Sequence, residues 1–348
     1  MAYKVNWEIL RKFCIQIYQS AGLSEDNAFT IADGLVMADL RGVPSHGVSR
    51  MDNYVKRISS GVVSKTNKII IEQEYPASAV LDGCNSMGML AGKYAMDFCV
   101  KKAEKSGLCF VTVKHSNHFG MASIYVAQAA EANMIGYCST NAPQNIAPWG
   151  SSKAYMGTNP IAIACPAVNA PIILDMAPSI VAMGKVILAA KTGKEIPLGW
   201  AITKDGKPTT NAEEGRQGSV LPIGGAKGSG LAIFVDILCG ILSGAAFGPH
   251  INNMFTDFKN PQNVGHVFCA IDISKFIDVE QFKTQLQKMI DEIKALPKAE
   301  GFSEILMPGE IENRKLIQHK KDGVPIEDDI LKELQALGAL FNVPCNLT

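Results

Sequence analysis

The sequence lacks every common signature of a nucleotide site or a hydrolase site. It contains no GxGxxG, no GxxxxGK[ST], no HExxH and no GxSxG. A Rossmann fingerprint, a P-loop, a zinc-protease helix and a hydrolase nucleophile elbow are therefore not indicated. Any nucleotide site in this chain must be built in another way.

Net charge and long apolar runs are also missing. The 348 residues carry 33 Lys+Arg and 33 Asp+Glu, so the formal net charge is zero. Because phosphate backbones attract a net or clustered positive surface, nucleic acid is not expected as a partner. The longest apolar stretch, residues 231–247, contains Asp236 and two glycines and is short for a membrane span. It predicts a buried helix, and no membrane partner is expected.

Cysteine pairs of the kind that bind metals are absent as well. The nine cysteines include no CxxC, their number is odd, and most lie inside apolar runs. The N-terminal residues show no apolar core followed by a small-residue cleavage site, so no secretory signal is indicated. We expect reduced core thiols in a cytoplasmic protein, with neither a disulfide framework nor a metal site.

What is present is an alternation of helical and strand periodicity. Apolar residues recur at helical spacing near both ends, and short β-branched runs fill the middle. Ser24 is a candidate N-cap, and Asp205-Gly206 is a turn signal. Helices are predicted over residues 7–18, 24–40, 51–58, 87–104, 121–133, 179–191, 229–246 and 279–296, and strands over 67–73, 77–83, 108–114, 135–140, 160–166, 171–177 and 265–273. The pattern predicts an α/β (α+β) protein with helical parts at both termini.

The segment Ser45-His46-Gly47-Val48-Ser49-Arg50 is the first candidate for chemistry. If a helix starts just after Pro44, His46 and Arg50 lie on one face at i and i+4, and Ser45 keeps a free hydroxyl. An arginine fork holds a carboxylate in two parallel hydrogen bonds. The same residues are also compatible with an N-capping serine, a structural histidine and a solvated arginine.

Two of the six histidines, His115 and His118, follow the predicted strand 108–114. Loops after strands are the usual ligand-binding places in α/β proteins, and histidine titrates near neutrality. One of the pair could act as a general acid and base. A metal site on the HxxH spacing is a weaker alternative because no third ligand is evident, and two polar loop histidines are a further one.

The glycine-rich run 224–230, which contains Lys227, precedes the apolar helix. Glycines allow close backbone approach, and free amides at a helix start attract anions, so a phosphate cradle is one interpretation. A flexible connector is the other. Asp175, at the end of strand 171–177, could accept hydrogen bonds from ribose hydroxyls or could cap the next helix.

Seven motifs in register carry a resemblance that covers nearly the whole chain. They are RGVPSHGVSR, HSNHFGMASIY, APWG, GTNPIAIACP, LDMA, IPLGWAITKDGKPTT and LPIGGAKGSGLAIFVDILCGILSGAAFG. In this order the sequence resembles the type 2 malate/L-lactate dehydrogenase family. That resemblance implies a nicotinamide-binding mixed sheet that is not a Rossmann fold, which agrees with the missing GxGxxG.

The resemblance also implies roles for single residues. His118 matches the proton-transferring histidine, and Ser45, His46 and Arg50 match the residues that bind the carboxylate and 2-oxygen of the substrate. The remaining matches fall on the nicotinamide pocket and other cofactor contacts, with Asn141 also near the substrate. These residues are Thr140, Asn141, Ala142, Asp175, Met176, Ala177, Lys227, Gly228, Pro308 and Gly309. The place of His115 relative to the site is left open.

By resemblance, the chain is expected to be a homodimeric NAD(P)-dependent dehydrogenase of a small 2-hydroxy acid. Malate/oxaloacetate with NAD is the first expectation; NADP, lactate, ureidoglycolate and a cyclic imino acid are alternatives. A non-catalytic nucleotide-binding protein and a metal-dependent lyase or hydrolase are alternatives of other classes. Three parts are expected: residues 1–75 as a helical region packing with the C-terminal part, 76–250 as the cofactor domain, and 251–348 completing the first domain.

Overall fold

The computed structural model describes residues 2–347 and contains two large hydrophobic cores and a smaller third one. The helices are α1 (Trp7–Ser20), α2 (Glu25–Leu40), α3 (Met51–Ser59), α4 (Gly88–Ser106), α5 (Ser123–Glu131), α6 (Met183–Lys191), α7 (Ala212–Gln217), α8 (Ala226–Asp236), α9 (Val279–Ala295), α10 (Glu310–Asp322) and α11 (Asp328–Phe341). The strands are β1 (Ala2–Val5), β2 (Ile70–Tyr75), β3 (Ser78–Asp82), β4 (Leu108–Ser116), β5 (Met134–Thr140), β6 (Ile161–Cys165), β7 (Ile172–Met176), β8 (Ala201–Ile202), β9 (Pro208–Thr209), β10 (Ser219–Val220), β11 (Val264–Asp272) and β12 (Val324–Glu327).

A seven-stranded mixed sheet forms the centre, in the order β2-β3-β4-β11-β5-β6-β7. Only β3 and β4 run parallel, and every other neighbouring pair is antiparallel. Helices α4 and α5 cover one face and share a core with it that includes Val111, Phe268 and Tyr125. This mixed sheet with flanking helices confirms the predicted fold class. The parallel pair β3 and β4, joined by α4, makes a single βαβ unit without the GxGxxG spacing, so this sheet is not the doubly wound parallel sheet of a Rossmann fold.

The chain's two ends share the second core. The first helix starts where Asn6 caps the amides of Glu8 and Ile9, and the second starts at Ser24, as predicted. Their apolar faces pack with α3, α11 and β12, and β1 pairs antiparallel with β12. Thus the chain's N-terminal strand is held by a segment more than three hundred residues away.

The expected boundary at residue 251 does not fit the strand pairing. Strand β11 lies between β4 and β5 in the middle of the large sheet, because its apolar run Val264–Asp272 is buried on both faces. Residues 264–272 therefore complete the same sheet as β4 and β5, which lie between the expected boundaries at residues 76 and 250.

Residues 146–232 contribute a third, smaller core. It lies beside the short sheet β10-β8-β9, and the β8–β9 hairpin turns at Asp205-Gly206 as predicted, with Gly206 at φ +80°. The apolar helix starts three residues earlier than predicted and turns from α to π geometry over Ile237–Leu242. Within residues 2–347, no helix is both long and apolar enough to span a membrane.

Candidate active site

The segment after α2 is not the single helix expected to start after Pro44. It forms two 3₁₀ turns, Pro44–His46 and Val48–Arg50, before α3 begins. Ser49 Oγ donates to Pro44 O at 2.6 Å and stabilises this shape. The Ser45 hydroxyl, expected to be free, lies 3.0 Å from His46 Nδ1. The serine therefore forms a hydrogen-bonded pair with the neighbouring imidazole.

A buried carboxylate, that of Asp39, holds the segment 44–50 in this shape. Asp39 is 5% exposed, and its Oδ2 accepts the Val48 N–H at 2.8 Å. A Cβ at Gly47 would lie 2.0 Å from Asp39 Oδ1, so the close approach requires glycine at this position. Burial raises the pKa of Asp39 to about 7, while the Val48 amide acts in the opposite direction. The carboxyl group that supports Ser45–Arg50 is therefore largely protonated below neutral pH.

Asp39→Asn should change how stability depends on pH. The raised pKa means that between the ordinary value of 3.8 and about 7 the folded chain keeps a proton that the unfolded chain has lost. Wild-type stability from this group therefore falls as pH rises through that window, by up to about 1.4 kcal/mol per pH unit. Asparagine keeps an acceptor oxygen but cannot ionise. Urea unfolding measured from pH 4.5 to 7.5 should show the free energy of unfolding of the variant rising relative to that of the wild type as the pH increases. Parallel curves of unfolding free energy against pH would contradict this.

His118 lies against His46 and Tyr54. The two imidazole rings stack with centroids 5.5 Å apart and 19° between planes. Tyr54 Oη lies 2.5 Å from His118 Nδ1, and the Gly120 N–H donates to the same nitrogen at 3.3 Å. The pKa of His118 lies well below its ordinary value, first because of burial and then because of His46 and Arg50. The imidazole is thus neutral at pH 7, with Nε2 left for a ligand.

Arg50 completes this group. Its Nε donates to Ser45 O at 2.6 Å, and its guanidinium carbon lies 5.0 Å above the Phe255 ring. Burial lowers the pKa of Arg50, and burial together with the charge of Arg50 lowers the pKa of His46 to about 4. The terminal nitrogens of Arg50 make no hydrogen bond within residues 2–347. The structure therefore brings Ser45, His46 and His118 together around Arg50, a cation whose terminal nitrogens are free to donate hydrogen bonds.

Sequence reasoning missed the residues that support His118. Its backbone N–H donates to Gln262 Oε1 at 2.9 Å, and the preceding Asn117 is anchored by three donated bonds, including one to Ser86 O at 2.9 Å. In the sequence, Tyr54 stands out only as an apolar position at helical spacing within α3. Gln262 lies in a loop with no periodicity, so no pattern in the sequence marks it.

His115 lies outside this group. Its Nδ1 is 2.9 Å from Asp82 Oδ2, and it lines a polar cleft of about 560 Å³ with His250 and several asparagines. His118 instead lines a small cavity with Tyr54. Because the two histidines face different spaces, the HxxH spacing does not form one metal site, and the described residues include no cluster of metal-binding side chains.

Three of the expected cofactor segments lie along β7: residues 308–309 beside its start, residues 175–177 at its end, and the glycine-rich loop just beyond that end. The Ile173 N–H donates to Pro308 O at 3.1 Å, and the Ile223 N–H donates to Pro178 O at 2.8 Å. Asp175 Oδ2 accepts the Ser123 N–H from the start of α5 at 2.8 Å. The segments around residues 175–177, 224–228 and 308–309 therefore form one edge of the molecule, with Met176 and Ala177 between Asp175 and the glycine-rich loop.

The other expected cofactor segment, residues 140–142, is more buried than a segment that contacts the nicotinamide and the substrate is expected to be. Asn141 is 1% exposed; its amide donates to Ala246 O at 2.8 Å and its oxygen accepts the Gly265 N–H at 2.9 Å. Thr140 Oγ1 lies 2.7 Å from His266 Nδ1. The structure does not present the Asn141 side chain to a substrate, because the chain itself uses it to hold β5 against β11.

The residues at the β7 edge fit an anionic dinucleotide. A Cβ at Gly224 or Gly230 would meet no atom within 4 Å, so there is open space beside these two glycines, whereas a Cβ at Gly225 would lie 3.0 Å from the Trp149 ring. Lys227 is exposed in the first turn of α8 and makes no ion pair within the described chain. Helix-start amides and a lysine attract phosphate, and the Asp175 carboxylate accepts hydroxyls. Gly228, by contrast, is needed for packing, since a Cβ there would lie 2.2 Å from Ile223 O.

Comparisons with known proteins agree along the whole chain. A family profile described as malate/L-lactate dehydrogenase matches residues 5–335. Malate dehydrogenase from Pyrococcus horikoshii is 41% identical over 96% of this chain and 94% of its own. Two solved structures also match: sulfolactate dehydrogenase from Methanocaldococcus jannaschii (TM-score 0.93, 36% identity, 99% of this chain and 98% of that one) and malate dehydrogenase from Entamoeba histolytica (TM-score 0.94, 32% identity, 99% of each). The chain therefore belongs to the malate/L-lactate dehydrogenase family, whose dehydrogenases use NAD or NADP.

Proposed function

We propose that this chain interconverts malate and oxaloacetate with a nicotinamide cofactor. The observation that carries the proposal is the stack of His46 on His118 beside Arg50, a neutral acid–base group next to a cation with free donors. A 2-hydroxy acid presents a carboxylate and a hydroxyl on adjacent carbons. The carboxylate needs a cation, and the hydroxyl needs an acid–base group beside that cation. When bound, the nicotinamide supplies or accepts the hydride.

Arg50 would hold the substrate carboxylate through its free terminal nitrogens, while its Nε stays on Ser45 O. This fixes the fork, so little side-chain freedom is lost on binding. His46, paired with Ser45, would donate or accept at the neighbouring oxygen from its Nε2. The three residues together orient C2 of the substrate toward His118.

His118 would move the proton. In oxidation the tautomer with its hydrogen on Nδ1, where Tyr54 Oη accepts and the 3.3 Å contact from the Gly120 N–H is given up, accepts the hydroxyl proton of the substrate at Nε2, and in reduction the protonated ring returns it to the carbonyl oxygen. The Tyr54 hydroxyl can accept from a protonated Nδ1 or donate to a bare one, so it stays bonded in both states. Because an anionic substrate offsets the charge of Arg50, its binding raises the pKa of His118 and favours proton uptake.

The substrate can be identified with a panel of 2-oxo acids. We expect oxaloacetate with NADH to give the highest kcat/KM, read as loss of nicotinamide absorbance. Pyruvate, 3-sulfopyruvate and Δ1-piperideine-2-carboxylate, each with NADH, test reduction of the other substrates of the family. Ureidoglycolate with NAD tests the oxidation of that substrate. A higher kcat/KM for any of these than for oxaloacetate or malate would replace the malate assignment without removing the reaction class, and NADPH in parallel tests the cofactor choice.

Malate is preferred because the relatives at 41% and 42% identity carry that name, whereas those named for sulfolactate or ureidoglycolate are 38% identical or less. A non-catalytic nucleotide-binding protein would not need the paired His46 and His118. Turnover with no member of the panel, under conditions where the chain binds NADH, would favour that alternative.

A homodimer in the cytoplasm is also part of the proposal. Exposed apolar side chains extend along α8 and the π segment, including Phe234 (64%), Ile241 (61%) and Leu242 (54%). A patch of this kind on one helix suits burial against a second copy. We further propose two domains, residues 70–272 with the seven-stranded sheet as one and the chain ends as the other. Sedimentation of the wild type and of Phe234→Glu should give a dimer and a monomer, respectively.

A further inference from the structure

Two arginines are buried in residues 2–347, and only one of them forms hydrogen bonds through its guanidinium. Arg57 is 2% exposed and donates to the carbonyl of Asp257 at 2.6 Å. Arg41 is 9% exposed, yet its Nε has no hydrogen-bond partner, and the guanidinium forms no ion pair within the described chain. Buried charges in folded proteins are normally paired and hydrogen-bonded. The described chain therefore supplies no hydrogen-bond partner for the Nε of Arg41.

The position of Arg41 restricts what that partner can be. Arg41 follows directly on the last residue of α2, and α10 packs along this end, where His319 Nδ1 lies 3.0 Å from Leu40 O. The carboxylates whose charges act on Arg41 are those of Glu312 and Asp175. Asp175 is one of the expected cofactor contacts, and Glu312 lies three residues after another, Gly309.

A backbone contact places Gly309 close to the strand that carries Asp175. A Cβ at Gly309 would lie 2.9 Å from Ile173 O, so the start of α10 touches β7 two residues before Asp175. Arg41 therefore lies beside the edge assigned to the cofactor. It is separate from Arg50, which belongs to the group around His118.

The charges around Arg41 distinguish between anions. A simple inorganic anion could bind only the guanidinium and has no donor that would compensate the repulsion from the two carboxylates. A ribose phosphate matches the arrangement, because its hydroxyls can donate to carboxylate oxygens while its phosphate accepts from the guanidinium. Lys315, close enough to Gly42 that a Cβ there would lie 2.9 Å from its Nζ, adds positive charge on the same side.

We propose that Arg41 binds a phosphate group of the nicotinamide dinucleotide, an inference that rests on the proposed dehydrogenase function. The phosphate would complete the hydrogen bonding of a guanidinium that is otherwise unpaired, so binding of the dinucleotide satisfies a buried group as well as making a new contact. Two phosphates have this chemistry: the pyrophosphate, common to NADH and NADPH, and the 2′-phosphate, present only in NADPH.

The test measures dissociation constants of NADH and NADPH without substrate, by nicotinamide fluorescence, for the wild type, Arg41→Met and Arg41→Lys. A pyrophosphate contact predicts that Arg41→Met weakens both dinucleotides by roughly 10- to 100-fold, as expected for a lost charge-assisted hydrogen bond. A 2′-phosphate contact predicts that only NADPH weakens. Arg41→Lys should recover part of the loss, because it keeps the charge without the fork.

Arg11→Met is the matched control, since Arg11 is a partly buried arginine paired with Asp33 at 2.8 Å in the terminal helices. It should leave both dissociation constants unchanged, and thermal unfolding of each variant checks that it is folded. Unchanged affinities in Arg41→Met, or an equal loss in Arg11→Met, would overturn the assignment of Arg41. A wild type that binds neither dinucleotide would instead overturn the proposed function and this inference with it.

Discussion

His118→Ala should lower kcat by ~10²–10⁴-fold in both directions, the usual loss when a positioned acid–base group is removed. Among the described residues, the His118 imidazole contacts both His46 and Tyr54, and it is the group to which we assign the proton transfer. Dinucleotide affinity should change little, because the cofactor segments lie at the β7 edge. Steady-state kinetics with oxaloacetate and malate, together with NADH titration, measure the two effects separately.

His115→Asn is the matched control for this variant. His115 is three residues away but bonds Asp82 in a different cleft, and asparagine tolerates its φ of +49°. The control should retain wild-type kcat. Full turnover by His118→Ala, or an equal loss in both variants, would show that the proton moves elsewhere.

Elements with strong local signals were predicted well from the sequence. The Ser24 cap, the helix that follows it and the β-branched strand around Val111 all lie where propensity and periodicity place them. The 3₁₀ turns around His46 were not predicted, because their geometry depends on the buried Asp39 carboxylate and on the contact that only Gly47 permits. No helical or strand period encodes such a contact.

Long-range pairings explain the other differences. Strand β1 is mostly exposed and has only four residues, so it exists because β12 pairs with it and not because of its own pattern. The π segment Ile237–Leu242 has the same apolar composition as an α-helix, and Gly240 there packs close to Phe247 and Asn141. The same limit applies to the site: residue types marked His118 and Arg50, whereas Gln262 and Arg41 are visible only once distant segments are in contact.

Arg50→Ala should lower kcat/KM for the acid substrate by about 30- to several-thousand-fold, mostly through KM, because truncating one partner of a buried charge pair typically costs 2–5 kcal/mol. The guanidinium is held by Ser45 O and Phe255 in an orientation that leaves its other donors free. Arg50→Lys should fall in between, since a lysine supplies charge without the planar fork.

Two further readouts separate substrate binding from a general effect on the site. The first compares the 2-oxo acid with its primary amide: the wild type should strongly prefer the acid, and Arg50→Ala should lose most of that preference. The second is the pH profile, because Arg50 is one of the charges that lower the pKa of His118, so removing it should shift the limb governed by His118 to higher pH. If the variant kept both the acid preference and the wild-type pH profile, Arg50 would not be the residue that receives the carboxylate.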